Sequence, residues 1–261
     1  MAPTVLVTGA DGFVGRHMVA ALTKAGWQVR RSQRSGRPSI SDDIVTGLDL
    51  GPKTDWRTAV NGVQAVVHLA ARAHHSKNTQ QREIDSYFSV NVEGTMQLAR
   101  SAALAGVREF IFLSSVAVNG STTDGRKPFC EQDAIAPNTI YGKTKAAAEK
   151  GLASLATNGR MSITALRAPM IYGAGAVGSF GKLMSAVRAG LPLPFGLIKN
   201  RRALLAHRPA YQEHEAAKAD LKKLVPEDAE EAIGHGLRAK RSKSGAISFD
   251  LMDAEAANAP L

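Results

Sequence analysis

Val5-Leu6-Val7-Thr8-Gly9-Ala10-Asp11-Gly12-Phe13-Val14-Gly15 is the stretch whose reading decides the fold. A short apolar run suited to a buried strand, Val5 to Val7, leads into glycines at 9, 12 and 15. Helical spacing then begins with Phe13, Val14, Met18 and Leu22. In a strand-turn-helix of this kind Gly9 permits the tight turn and Gly12 lets the backbone approach a pyrophosphate. Gly15 lets helix and strand pack closely. The helix N-terminus would then offer N–H groups and the positive end of its dipole to phosphates. Glycine spacing is a weak signal taken alone, so its meaning depends on the residues beyond Gly15.

A chain of 261 residues with 44% hydrophobic content can bury a full core as one domain, or as one large domain with a smaller lobe. Cys130 is the single cysteine, which excludes an intramolecular disulfide and a cysteine metal pair and fits a reducing compartment. No signal-like segment and no apolar run of about 18 residues appears, so a cytoplasmic protein with no membrane partner is expected. The net charge of +10, with Arg30, Arg31, Arg34 and Arg37 clustered early, raises the question of nucleic acid. That cluster lacks interleaved aromatics and falls where a second strand would end beside a dinucleotide, so a nucleotide phosphate is the expected anion. Residues 1–205 carry 25 basic and 13 acidic side chains, whereas 206–261 carry 8 and 10. The tail thus differs from the body.

Strand and helix patterns alternate along the chain, which predicts a parallel sheet covered on both faces. The first helix ends near Gly26, and Gln28–Ser32 reads as the second strand. At the end of that strand, where NAD-binding sheets commonly place an acid for the adenosine ribose, stand Gln33 and Arg34. An arginine there can pair with the extra phosphate of NADP. Asp49 and Leu50 follow a short strand-like run and are candidates for adenine contact. Residues 62–71 contain a buried strand ending in the small Ala70 and Ala71, which leave room for a ligand. His68, His74 and His75 lack carboxylates or cysteines at ligand spacing, so they read as core or loop histidines and no metal is expected.

Asn91 to Thr95 reads as the opening of a helix, with Asn91 bracing backbone near the site. Phe110 to Ser115 reads as a buried strand ending in two hydroxyls. Tyr141 and Lys145, four residues apart, share one face of a helix. A nearby ammonium favours the phenolate of a tyrosine, so Tyr141 can exchange a proton with a substrate oxygen while hydride moves to or from a cofactor. Ser115 would hydrogen-bond the same oxygen, and Lys145 would also hold the nicotinamide ribose.

With these residues in view, the chain resembles the extended short-chain dehydrogenase/reductase family, specifically its nucleotide-sugar epimerases, dehydratases and reductases. The resemblance rests on Thr8 to Gly15, Asp49-Leu50, His68-Leu69-Ala70-Ala71, Asn91 to Thr95, Ser114-Ser115, Tyr141-Gly142-Lys143-Thr144-Lys145 and Leu166 to Gly173, in the family's order over nearly the first 205 residues. It implies an α/β fold: a Rossmann-type doubly wound parallel sheet binding NAD or NADP over residues 1–173, with NADP slightly favoured by Arg34. A small, incomplete C-terminal substrate lobe would span 174–205. Ser115, Tyr141 and Lys145 would be catalytic. The cofactor set it implies is Gly9, Asp11, Gly12, Phe13, Val14, Gly15, Arg34, Asp49, Leu50, Leu69, Ala70, Ala71, Asn91, Tyr141, Lys145 and Pro169. Ser115, Ser179 and Arg202 would meet the substrate, a homodimer being a possible assembly.

Members that carry out 4,6-dehydration have an Asp-Glu pair directly after the catalytic hydroxyl, whereas Val116 and Ala117 stand here. A UDP-sugar 4-epimerase or 4-keto reductase, both acting through a 4-keto sugar, is therefore expected. The resemblance stops near residue 205. Residues 206–261 read as an atypical tail with helices over 211–224 and 226–233 and a basic loop over 238–243. That tail is expected to be mobile or loosely docked and too polar to complete the lobe, which leaves a dinucleotide-binding but non-catalytic protein as the alternative.

Overall fold

The computed structural model describes residues 2–34, 43–73, 81–123, 127–157, 161–172, 185–186, 189, 204–206, 237–241 and 247–251. The chain divides into two compact units, Met1–Asp124 with Phe129–Ala168 and Gly125–Pro128 with Pro169–Leu261.

In the first unit β1 (Thr4–Thr8), β2 (Gln28–Ser32), β3 (Ile44–Val45), β4 (Ala65–His68), β5 (Glu109–Leu113) and β6 (Ser162–Leu166) form one six-stranded sheet in the order β3-β2-β1-β4-β5-β6. All of its pairings are parallel. Parallel neighbours require crossovers. These are α1 (Phe13–Lys24), α2 (Arg57–Val60), α3 (Gln81–Phe88), α4 (Thr95–Leu104) and α5 (Ile140–Thr157). The central strands read as apolar runs because both faces of the sheet are covered. Alternation along them divides the core. Val5, Val7, Ala65 and Val67 pack with Met18, Val19 and Leu22 of α1. Leu6, Val66, Phe110 and Phe112 pack with Ala59 and Val60 of α2, Leu98 and Ala102 of α4, and Ala148 and Leu152 of α5. Full burial of a Leu or Phe side chain contributes about 1.5–3 kcal/mol, so these layers hold the sheet.

Strand order reverses between β2 and β4, the two neighbours of β1, which makes the carboxyl end of β1 the switch point where ligands of open α/β sheets bind. Gly9 turns the chain there with φ +67, and a Cβ on it would stand 2.8 Å from the backbone nitrogen of Ala70. A Cβ on Gly15 would run into the carbonyl oxygen of Gly9 and come within 2.7 Å of the Ala10 Cα, so α1 lies on the turn as only glycine allows.

One expectation needs correction. Asn91 does not open a helix: α3 runs without a break into a π-helical segment, Ser89–Gly94, and on into α4. Asn91 lies inside that widened turn and is buried. Such insertions in a helix are frequent at functional sites because they re-aim a side chain at little cost.

In the second unit β7 (Met170–Tyr172) pairs in parallel with β8 (Leu204–Ala206). The segment expected as a basic loop is a strand instead: β9 (Leu237–Arg241) pairs antiparallel with β10 (Ile247–Leu251). The pattern behind it is period-two alternation, with Ile247, Phe249 and Leu251 at every second position opposite Arg241, Ala239 and Leu237. The expected helices over 211–224 and 226–233 lie outside the described residues. Among the described residues no helix is long and apolar enough to cross a membrane, and no cluster of His, Cys, Asp and Glu is arranged to hold a metal.

Candidate active site

The carboxyl ends of β1, β2 and β4 open on a cavity of about 840 Å³. Its wall includes nine residues expected from sequence: Gly9, Asp11, Gly12, Arg34, Asp49, Leu50, Leu69, Ala70 and Ala71. Three causes place them there. Gly9 and Gly12 belong to the turn between β1 and α1, where α1 begins with no side-chain cap and no acid in its first turn. That leaves the positive end of the helix dipole to an anion. Asp49 and Leu50 come from the loop after β3, and a Cβ on Gly94 would stand 2.9 Å from the Leu50 Cγ, so the π-helical segment backs that loop. Leu69 to Ala71 follow β4, held by the Ala70 N–H donating to Thr8 Oγ1 at 3.2 Å.

Sequence reasoning passed over part of the wall. Ser32, Leu48, Trp56, Arg72, Glu83 and Val90 also line the cavity. Arg72 lies 3.6 Å from Glu83 in an ion pair and 5.2 Å from the Tyr87 ring centroid. Gln33 lines the wall and donates from Nε2 to Asp11 Oδ2 at 3.3 Å. Gln33 Oε1 and Trp56 Nε1 are buried polar atoms with no partner among the described residues. A glycine turn that no Cβ could enter, an uncapped helix and two unsatisfied polar atoms fit a dinucleotide. Of the early basic cluster, Arg30 donates to the carbonyls of Ala59 and Asn61 at 2.9 and 2.7 Å. Arg31 pairs with Asp43 at 2.9 Å. Both are committed within the fold, Arg34 is exposed on the cavity wall, and Arg37 lies outside the described residues.

Phe13 and Val14 sit in the first turn of α1, and Gly15 packs against the turn; none of the three lines the cavity. Asn91 braces the loop after β4. Its Oδ1 accepts from the Arg72 N–H at 2.8 Å, and its Nδ2 donates to the Arg72 carbonyl at 3.0 Å and to Thr144 Oγ1 at 3.1 Å. The Thr144 hydroxyl donates on to the Tyr141 carbonyl at 2.8 Å, so the cavity wall is tied to the start of α5.

Ser115 caps a short 3-10 turn, Val116–Val118, its Oγ accepting from the Ala117 N–H at 3.2 Å. The same turn meets α5, since a Cβ on Gly142 would lie 2.5 Å from the Ala117 carbonyl oxygen. Gly142 therefore lets the helix bearing Tyr141 and Lys145 approach the strand end bearing Ser115. Lys145 is buried and donates from Nζ to the Leu113 carbonyl at 2.8 Å, 4.3 Å from the Phe112 ring centroid and 5.7 Å from that of Tyr141. Behind it His68 stands between Thr8 Oγ1, 2.6 Å from Nδ1, and Thr95 Oγ1, 2.9 Å from Nε2. As read from sequence, it is a core histidine. Burial, with the Lys145 charge second, holds its imidazole down to about 3. Burial pulls the Lys145 ammonium down to about 7, against the opposing pull of the Glu149 carboxylate. Burial also pushes the Tyr141 phenol up to about 12. Desolvation therefore outweighs the neighbouring ammonium, opposite to the direction expected from the Tyr-Lys spacing. Pro169 belongs to the second unit, while Ser179 and Arg202 lie outside the described residues.

A family model described as the NAD dependent epimerase/dehydratase family matches residues 5–202. A UDP-glucose 4-epimerase from Vibrio cholerae is 37% identical over 79% of this chain and 63% of its own length. A 3-beta-hydroxysteroid dehydrogenase from Mycolicibacterium neoaurum is 33% identical over 71% of this chain and 52% of its own. Among solved structures, MoeE5 in complex with UDP-glucose and NAD is 26% identical with a TM-score of 0.66, covering 89% of this chain and 76% of that one. The chain thus spans between half and two thirds of the length of these two curated relatives.

Proposed function

We propose, since the chain belongs to the NAD-dependent epimerase/dehydratase family, that it acts at C4 of a UDP-sugar through a 4-keto sugar, as a 4-epimerase or a 4-keto reductase. The observation that carries this reading is the approach of Gly142 to Ala117, which gathers Ser115, Tyr141 and Lys145 at the end of β5. A bound nicotinamide dinucleotide supplies the hydride donor and acceptor. The chain's own residues supply the rest. The glycine turn and the first turn of α1, Asp11 to Gly15, receive the pyrophosphate. Asp49 and Leu50 meet the adenine, and Gln33 and Arg34 the adenosine ribose and any phosphate on it. Leu69, Ala70 and Ala71 bound the nicotinamide half, with Asn91 holding the loop. Lys145 meets the nicotinamide ribose. Ser115 donates a hydrogen bond to the sugar C4 oxygen, and Tyr141 exchanges a proton with it. A phenol kept protonated by burial suits donation to the oxygen of a 4-keto sugar as it is reduced.

The cofactor half is common to relatives that act on a sugar nucleotide and on a steroid by their names, so the sugar assignment leans on the greater identity of the epimerase. Arg34 favours NADP. Purified protein mixed with UDP-glucose or UDP-galactose, or with a UDP-4-keto sugar and NADPH, tests the reading by product chromatography. Interconversion or NADPH-dependent reduction supports it. Dinucleotide binding without turnover of any of these would replace it with the second reading, a non-catalytic dinucleotide-binding chain.

A further inference from the structure

Glu149 lies on α5 one turn beyond Lys145 and plays no part in the chemistry above. Its carboxylate is almost buried, with a side-chain exposure of 9%. It accepts from Arg167 Nε at 3.1 Å on each oxygen and from Nη2 at 2.8 Å on Oε2. The Ser114 hydroxyl donates to its Oε1. Arg167 in turn donates to Asn119 Oδ1 and the Glu131 carbonyl, each at 3.4 Å. One carboxylate thus joins the end of β5, beside Ser115, and the end of β6 to the helix that carries Tyr141 and Lys145. The hydrogen-bonded pairing raises the Arg167 guanidinium and keeps it charged.

We propose that Glu149 is a positioning residue that, balanced by Arg167, sets the charge on Lys145 while it pins Ser114 to α5. The inference rests on the reading of Lys145 as the group beside Tyr141 and the cofactor ribose. The groups facing Lys145 come from three elements: the neutral His68 from β4, the Leu113 carbonyl and Phe112 ring from β5, and Tyr141 and Glu149 from α5, with Arg167 behind Glu149. Glu149 is the carboxylate in that set and the source of the pull that opposes burial. Removing either member of the ion pair breaks the same bridge, yet the two losses leave opposite charges behind. Glu149→Gln leaves the Arg167 cation without its anion, and Arg167→Met leaves the Glu149 anion without its cation.

The test is an NMR titration of the full chain carrying 13C at lysine Cε, with Lys145→Met used only to assign the signal. Opposite and like charges within about 4–6 Å move an ionisation by about one pH unit or more. The Lys145 inflection is expected to fall by about that amount in Glu149→Gln and to rise by a similar amount in Arg167→Met. Inflections that move the same way in both variants, or stay where they are, overturn the proposal, because a purely structural bridge predicts no difference of sign. If one variant does not fold, Glu149→Ala or Arg167→Gln takes its place, so that loss of the anion is still compared with loss of the cation. NAD affinity measured against pH on the same proteins separates the two readings. Opposite NMR shifts with an affinity that ignores pH would remove the ribose role of Lys145 and leave the role of Glu149 standing.

Discussion

His68 offers a prediction whose size is set by its surroundings. Its ring is wholly buried between two threonine hydroxyls and stacks on Phe112 at 5.7 Å, so a proton on it would place a charge where no carboxylate among the described residues answers it. The folded imidazole is held at about 3, against an ordinary 6.5 in the unfolded chain. Between those values the unfolded state binds more protons than the folded state, so stability is full above about 6.5 and falls as the pH drops towards 3. Each pH unit inside the window is worth about 1.36 kcal/mol, which makes about 2 kcal/mol between about pH 6.5 and about pH 5. Lys145, shifted from 10.5 to about 7, is protonated in both states across that interval and adds little slope. Asp55, lowered from 3.8 to about 2 by Arg57, acts below it. Urea unfolding of the wild type and of His68→Gln, whose amide can still bond both threonines, should show a slope against pH that is shallower in the variant by about 1.4 kcal/mol per unit. Equal slopes in the two proteins would refute the claim that this ring is folded in its neutral form.

Tyr141→Phe should keep the fold and cofactor affinity while lowering sugar turnover by about 10²- to 10⁴-fold, and wild-type turnover in a stopped assay would end the proton-transfer assignment. Arg34→Ala should shrink any excess of NADPH over NADH affinity by roughly 1.5–3 kcal/mol in calorimetry, the range for hydrogen bonds to charged groups. Equal affinities in the unmodified protein would remove that role from Arg34. Gly15→Ala should cost about 1–3 kcal/mol of stability in thermal or urea unfolding by forcing α1 off the Gly9 turn, together with dinucleotide affinity, and an unchanged midpoint would contradict the packing described.

Much of the first unit was legible in the order of residues because its signals are local. Apolar runs ending in small residues mark buried strands, and β2 falls on Gln28–Ser32, as its pattern implies. The three glycines mark a turn whose constraint is steric and therefore visible at their own positions, and the spacing of Tyr141 and Lys145 is set by helix geometry. What escaped depends on neighbours far apart in the chain. The π-helical turn at Ser89–Gly94 leaves apolar spacing almost unchanged, so Asn91 read as a helix start although α3 precedes it. The strand β9 was hidden by its own Arg and Lys content, and its pairing with β10 is a matter of register between segments. Trp56 carries no local pattern that marks it for a site, and only folding brings it to the cavity wall. The direction of the Tyr141 shift could not be had from spacing, because desolvation is a property of everything packed around a group and not of the residue four positions away. For the same reason only the folded chain shows that Glu149, Ser114 and Arg167, distant from one another in sequence, meet in a single bridge beside Lys145.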